Sequence, residues 1–163
     1  MKKMILMLMT FMMVIAGCGS PKEEEANVPV SELMKVVTEQ TEVYTDSFYN
    51  FNLKEDTEAA ANLGIDPAAI EEGQYMKSMM IVQADEFIIL KASDASKVEE
   101  LKAALEKEVA TQEKNWSTYL PEQYEKVKNH IITQQGNYLI LLISDDAEKM
   151  EQAVKNALNS ESK

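Results

Sequence analysis

The chain has 163 residues, with 28 Asp and Glu against 16 basic residues, a net charge of −12. Every base is a lysine, and an acidic surface without arginine argues against nucleic acid and against adhesion to anionic lipid through protein charge. The one cysteine excludes an intrachain disulfide and a cysteine-ligated zinc site.

At the N-terminus, Lys2 and Lys3 precede an apolar run from Met4 to Ile15, broken only by Thr10. A dozen helical residues reach about 18 Å, short of the roughly 30 Å of a bilayer's hydrocarbon core. The run therefore reads as the apolar region of a signal peptide over residues 1–17. Ile15-Ala16-Gly17-Cys18 closes it and resembles the lipobox of bacterial lipoproteins. That resemblance implies cleavage before Cys18 and a diacylglyceryl thioether on its sulfur, with or without an N-acyl chain. Two acyl chains exceed what lasting attachment needs, which places the chain on the cell membrane, facing outside the cytoplasm. Residues 18–30 hold Gly19-Ser20-Pro21 and the charged block Lys22-Glu23-Glu24-Glu25, and read as a lipidated acidic tether.

Residues 31–160 are expected to form a single α+β domain. Ser31 caps a first short helix to about Thr41, with Leu33, Val36, Val37 and Gln40 along one side. Residues 43–53 carry Tyr44, Phe48, Tyr49 and Phe51 without a clear period and read as irregular or partly extended. Residues 54–63 are helix-prone, with Gly64 as terminator. Asp66 as cap, Pro67 at the first position and an Ile65/Ile70 staple predict another short helix, stopped at Gly73.

The second half repeats. Shifted by 52 residues, 79–105 lies over 131–157 without a gap, and Ile88/Ile140, Leu90/Leu142, Asp94/Asp146 and Lys97/Lys149 are among seven identical pairs. Each copy reads strand, two-residue turn, strand, helix, with turns at Ala84-Asp85 and Gly136-Asn137. Val98, Leu101, Leu105, Val109, Gln112 and Trp116 form one helical stripe, and Met150, Ala153, Val154, Ala157 and Leu158 the other. The apolar runs at 88–90 and 139–143 predict central strands, and 131–135 an edge strand. The expectation is a duplicated ββα unit: a four-stranded, mainly antiparallel sheet with two long helices on one face, preceded by short N-terminal helices. Convergence of two ordinary hairpin–helix units would produce the same pattern.

A catalytic set is missing. His130 has no serine or cysteine partner nearby, and there is no phosphate loop or paired-histidine metal motif. The acidic clusters at 23–25, 71–72, 99–100 and 145–146 read as tether, helix faces and a helix start. No enzyme, metal or cofactor is expected. Trp116, Tyr119, Pro121 and Tyr124 stand out as polar-tipped aromatics and a proline between two helical stretches. They fit a partner-binding surface and also the packing of a long connection.

Ile88-Ile89-Leu90-Lys91-Ala92, the helix ending Gln112-Glu113-Lys114-Asn115-Trp116, Tyr119-Leu120-Pro121-Glu122-Gln123-Tyr124 and Gly136-Asn137-Tyr138 resemble a family of small lipoproteins from clostridia-like Gram-positive bacteria, a domain of unknown function. The likeness covers roughly residues 63–154, from Gly64-Ile65-Asp66-Pro67 onward, and is most specific at Pro-Glu-Gln-Tyr and Gly-Asn-Tyr. Trp116 stands where the family pattern has a phenylalanine-like aromatic. The resemblance implies a single-membrane host and brings no functional residues. The functional expectation is a membrane-anchored envelope lipoprotein that binds or scaffolds an unknown protein or cell-wall partner without catalysis. The alternatives are a small-ligand or cation binder and, further off, a carboxylate hydrolase.

Overall fold

The computed structural model describes residues 27–41 and 45–161. The expected signal peptide, Cys18 and most of the tether lie outside them. Among the described residues, five α-helices, α1 (Val30–Thr38), α2 (Thr57–Leu63), α3 (Val98–Trp116), α4 (Pro121–Lys128) and α5 (Ala147–Glu161), surround one sheet. Its strands are β1 (Phe48–Asn52), β2 (Ile70–Ser78), β3 (Glu86–Ala92), β4 (Ile131–Gln135) and β5 (Tyr138–Ile143), in the order β1-β2-β3-β5-β4 with every neighbour antiparallel.

Every residue of β3 and of β5 is buried, and apart from Glu86 and Lys91 near the ends of β3 both strands are apolar on each face, as suits central strands under two helical layers. On the first face, Ile88, Leu90, Leu139 and Leu141 pack with Leu63 of α2, Leu101 and Leu105 of α3 and Val127 of α4. On the second, Phe87, Ile89, Ile140 and Leu142 pack with Leu33 and Val37 of α1 and Met150, Val154 and Leu158 of α5.

The fold is α+β as expected, but the sheet has five strands rather than four, and the two long helices lie on opposite faces. The helix placement follows from register. Ile88 pairs with Leu141, and Ile89 with Ile140. Antiparallel copies of one unit are related by a two-fold axis normal to the sheet, which keeps equivalent residues on one face. Ile88 and its repeat equivalent Ile140 instead face opposite ways, because a one-residue change of register reverses every side chain. The units therefore do not form the expected duplicated arrangement.

The first hairpin also differs. Residues 79–83, expected as a strand, belong to a connection that spans 79–85, in place of a two-residue turn at Ala84-Asp85. The strand that pairs with β3 is β2, ending at Ser78, whose N–H donates to the Asp85 carbonyl at 3.0 Å. The β4–β5 turn is the expected Gly136-Asn137, with Gly136 at φ 56°, a conformation open to glycine. The β4 strand is at an edge, as its polar end predicts.

Residues 65–73 do not form a helix. The Asp66 carboxylate accepts from the Ala68 N–H at 2.9 Å and supports a single 3₁₀ turn over Pro67–Ala69, after which Ile70 is already extended. Gly73 lies inside β2, where a Cβ would stand 2.8 Å from Ile70 Cδ1 and 3.2 Å from Leu53 Cβ. Close packing requires glycine there, not helix termination. At residues 48–52, Phe48 turns to the second face while Phe51 packs on the first, so neither face alone shows an apolar run.

The chain enters the domain at the sheet end where β3 finishes and β5 begins. Asn27 Oδ1 accepts from Lys91 Nζ at 2.7 Å, the Val28 carbonyl from the Tyr138 hydroxyl at 2.7 Å, and Glu72 Oε2 from the Val30 N–H at 2.9 Å. Residues 27–30, read as the end of the tether, are thus tied to the domain. Among the described residues no helix is long and apolar enough to cross a membrane.

Candidate functional site

A groove of about 560 Å³ opens on the first face between the β1 edge and helices α2 and α3. Strand pairing builds one wall. Phe51 lies opposite Tyr75, and Tyr49 opposite Lys77, so three aromatic rings line up across two strands. Tyr49 and Phe51 stack at 6.1 Å between ring centroids, and Phe51 and Tyr75 at 5.5 Å. Tyr49 is 54% exposed at the rim, whereas Tyr75 is buried.

The facing wall comes from α3. Glu108, Gln112 and Trp116 follow one another at four-residue spacing and fall on one side of the helix. Gln112 Nε2 donates to Glu108 Oε1, and Trp116 Nε1 donates to Gln112 Oε1 at 3.2 Å. The chain of donors fixes the orientation of the Glu108 carboxylate, which lines the groove. Asp56, another lining residue, caps α2 by accepting from the Ala59 N–H at 2.9 Å.

Behind this wall stands Glu86, the first residue of β3, with no exposed surface. Neither of its carboxyl oxygens has a hydrogen-bond partner of good geometry, although Lys77 Nζ stands 3.4 Å from Oε2. Burial, and then the charge on Glu108, push the Glu86 carboxyl up to about 8, with Lys77 opposing the shift. Near neutral pH, Glu86 is thus mostly a neutral acid beneath an acidic groove. Burial also raises the Tyr75 phenol, with Glu86 and Glu108 adding to the effect.

The four residues singled out from sequence sit elsewhere. Trp116 is buried in the core, its N–H satisfied by Gln112, with the exposed Tyr119 ring at 5.8 Å. Pro121 is the first residue of α4 and exposed. Tyr124 is half-buried against the core, with Lys128 Nζ 5.5 Å from its ring centre. Trp116 and Tyr119 meet each other, and none of the four lines the groove. Cys18 is outside the described residues. His130 Nδ1 lies 2.8 Å from the Val127 carbonyl, next to β4.

A second polar centre holds α4 to the sheet. Lys126 Nζ stands 2.8 Å from Asp85 Oδ2 and 3.1 Å from Asp145 Oδ2, and both Lys126 and Asp85 are buried. Burial lowers the Lys126 ammonium, but the two carboxylates outweigh it and its pKa is raised overall. Among the described residues, no group of three or more acidic, histidine or cysteine side chains is placed to hold a metal.

Two signals for the groove are present in the sequence. Tyr49 and Phe51 alternate at strand period, and Glu108 and Gln112 are polar residues on the otherwise apolar stripe of α3. Neither identifies a groove until β1 and α3 are brought to one sheet face.

Residues 45–144 match the family described as Domain of unknown function (DUF4358), a span from the turn before β1 to the end of β5 that holds all the groove residues named above. No curated protein and no solved structure matches the chain. By that match, the chain belongs to the DUF4358 family of domains of unknown function.

Proposed function

We propose that the protein is a lipid-anchored envelope module that binds a partner molecule in the groove between β1, α2 and α3, at the outer face of a cell membrane. The observation that carries the reading is the groove itself: an aromatic wall with an exposed rim, faced by a carboxylate held in place by Gln112. Exposed aromatic edges are common binding anchors, and a fixed polar group opposite them supplies specificity. A hydrolase is less well supported. Glu86, the acid with the raised pKa, has no exposed surface and does not line the groove, so it biases Glu108 rather than meeting a substrate.

Two experiments test the two halves. In cells fed labelled palmitate, Cys18→Ser should abolish incorporation; retained label would remove the anchor. A photo-crosslinking residue at position 49 should give an adduct of defined mass that is lost with Phe51→Ala and absent when the crosslinker replaces Glu148, an exposed residue of α5. Equal adducts at positions 49 and 148 would overturn the groove as the binding site.

A further inference from the structure

We infer that the groove selects a primary ammonium group on an apolar stem, with the ammonium against Glu108 and the stem along the Tyr49, Phe51 and Tyr75 rings. The inference rests on the reading of the groove as a binding site and names the chemistry of its ligand.

Charge is the first argument. Asp56, Glu58 and Glu108 line the groove against one lining cation, Lys77, so negative charge exceeds positive there. An anionic ligand meets net repulsion from the α2 start and from α3, while a cation meets attraction in a partly desolvated site. The second argument is the like charge beneath the lining. Glu86 is wholly buried beneath the lining, with the Lys77 ammonium 3.4 Å from one oxygen and the Glu108 carboxylate near enough to oppose its ionisation. Two carboxyls this near each other repel when both are charged, and a cation held at Glu108 offsets that repulsion.

Geometry supplies the third argument. The stacked rings run from the exposed rim at Tyr49 to the buried Tyr75, and offer π faces to a cation and apolar area to its stem. An inorganic cation has no stem to cover the apolar area of that wall. A quaternary ammonium uses the wall but brings no N–H to the carboxylate. A primary ammonium uses both, with three donors. A free diamine and a lysine side chain share this chemistry.

The test is calorimetric titration of the full chain with cadaverine, a diamine, at neutral pH. Neutral pentanediol of the same length and the fully methylated bis-quaternary analogue serve as controls. Cadaverine should bind with heat lost in Glu108→Gln, a weakening of about tenfold or more, as expected for loss of one charge-assisted contact. Tyr49→Ala, at a rim position 54% exposed, should weaken binding while lowering the melting temperature by no more than a few degrees. Pentanediol should not bind, and the bis-quaternary analogue should bind more weakly than cadaverine. A short lysine peptide and its acetylated form separate the two sources: binding of only the unacetylated peptide, tighter than cadaverine, assigns a protein ligand, and the reverse order assigns a free amine. Absence of cadaverine and lysine-peptide binding, or equal binding of pentanediol, overturns the inference. A position-49 adduct that persists in that case leaves the groove a binding site for a ligand of another class. Loss of both results removes the groove reading as well.

Discussion

Ile88 of β3 stands opposite Leu141 of β5, one residue away from Ile140, its counterpart in the internal repeat. That single step of register sends Ile88 toward α3 and Ile140 toward α5, and so places one long helix on each side of the sheet. It also leaves the first face free to build the groove from β1, β2, α2 and α3 without α5.

The register is open to direct test. In a Cys18→Ser background, Ile88→Cys with Leu141→Cys should oxidise to a cross-strand disulfide, since directly paired residues have Cα separations of about 4.5–5.5 Å, within the range a disulfide spans. Ile88→Cys with Ile140→Cys should stay reduced, because those side chains leave opposite faces. Non-reducing mass spectrometry reads the outcome. A disulfide in the second pair alone would restore the two-helices-on-one-face arrangement.

Glu86 makes stability depend on pH in an unusual direction. Its carboxyl moves from an ordinary 4.5 in the unfolded chain to about 8 in the folded one, because of burial first and Glu108 second. Between those values the folded protein holds a proton that the unfolded chain has lost. The contribution is therefore fully present below about pH 4.5 and is lost as pH rises through about 8. At about 1.4 kcal/mol per pKa unit the effect is a few kcal/mol, shared with Tyr75, Lys77 and Glu108, which face the same carboxyl. Glu86→Gln should raise the melting temperature at pH 8 and flatten its fall from acid to alkaline pH. An unchanged slope would place the titration elsewhere.

The buried pair of Asp85 and Lys126 should be sensitive to loss of one partner. Asp85→Ala leaves the Lys126 ammonium inside with only Asp145, an exposed carboxylate, beside it. Breaking such a pair costs about 3–5 kcal/mol, and replacing both members with apolar residues of similar size recovers much of it. Urea denaturation of Asp85→Ala, and of Asp85→Leu with Lys126→Met, measures both. A loss under about 1 kcal/mol in the single variant would mean that solvent reaches Lys126 freely.

At the tip between β2 and β3, Ile81 is 82% exposed. Ile81→Ser should change stability by no more than about 0.5 kcal/mol, the range for surface sites without special contacts. Chemical denaturation checks this directly. A loss of about 2 kcal/mol or more, as from a packed strand, would contradict the loop at 79–85.

Much of the fold is legible where the local pattern and the burial agree. The stripe from Val98 to Trp116 became α3, the apolar runs around Ile89 and Ile140 became the central strands, and Gly136-Asn137 made the hairpin. Asp66-Pro67 and Gly73 misled for one reason. Their helix signals are local, and Leu53, Ile70 and Leu90, packed around Gly73, drew the segment into the sheet. Likewise Met79 to Val82 are apolar by composition, yet nothing in the local sequence shows that Asp85 is anchored by Lys126, 41 positions away.

What the amino-acid sequence determined by itself is the set of helices and strands with strong period, the acidic arginine-free surface and a lipobox-like segment at Cys18. The tertiary structure alone decided which face each helix covers and where the groove lies. Helical and strand periods are properties of one segment, and neighbouring residues reveal them. Register is a relation between segments far apart in the chain, and a one-residue step in it decides whether Glu86, Glu108, Tyr75 and Phe51 meet at all.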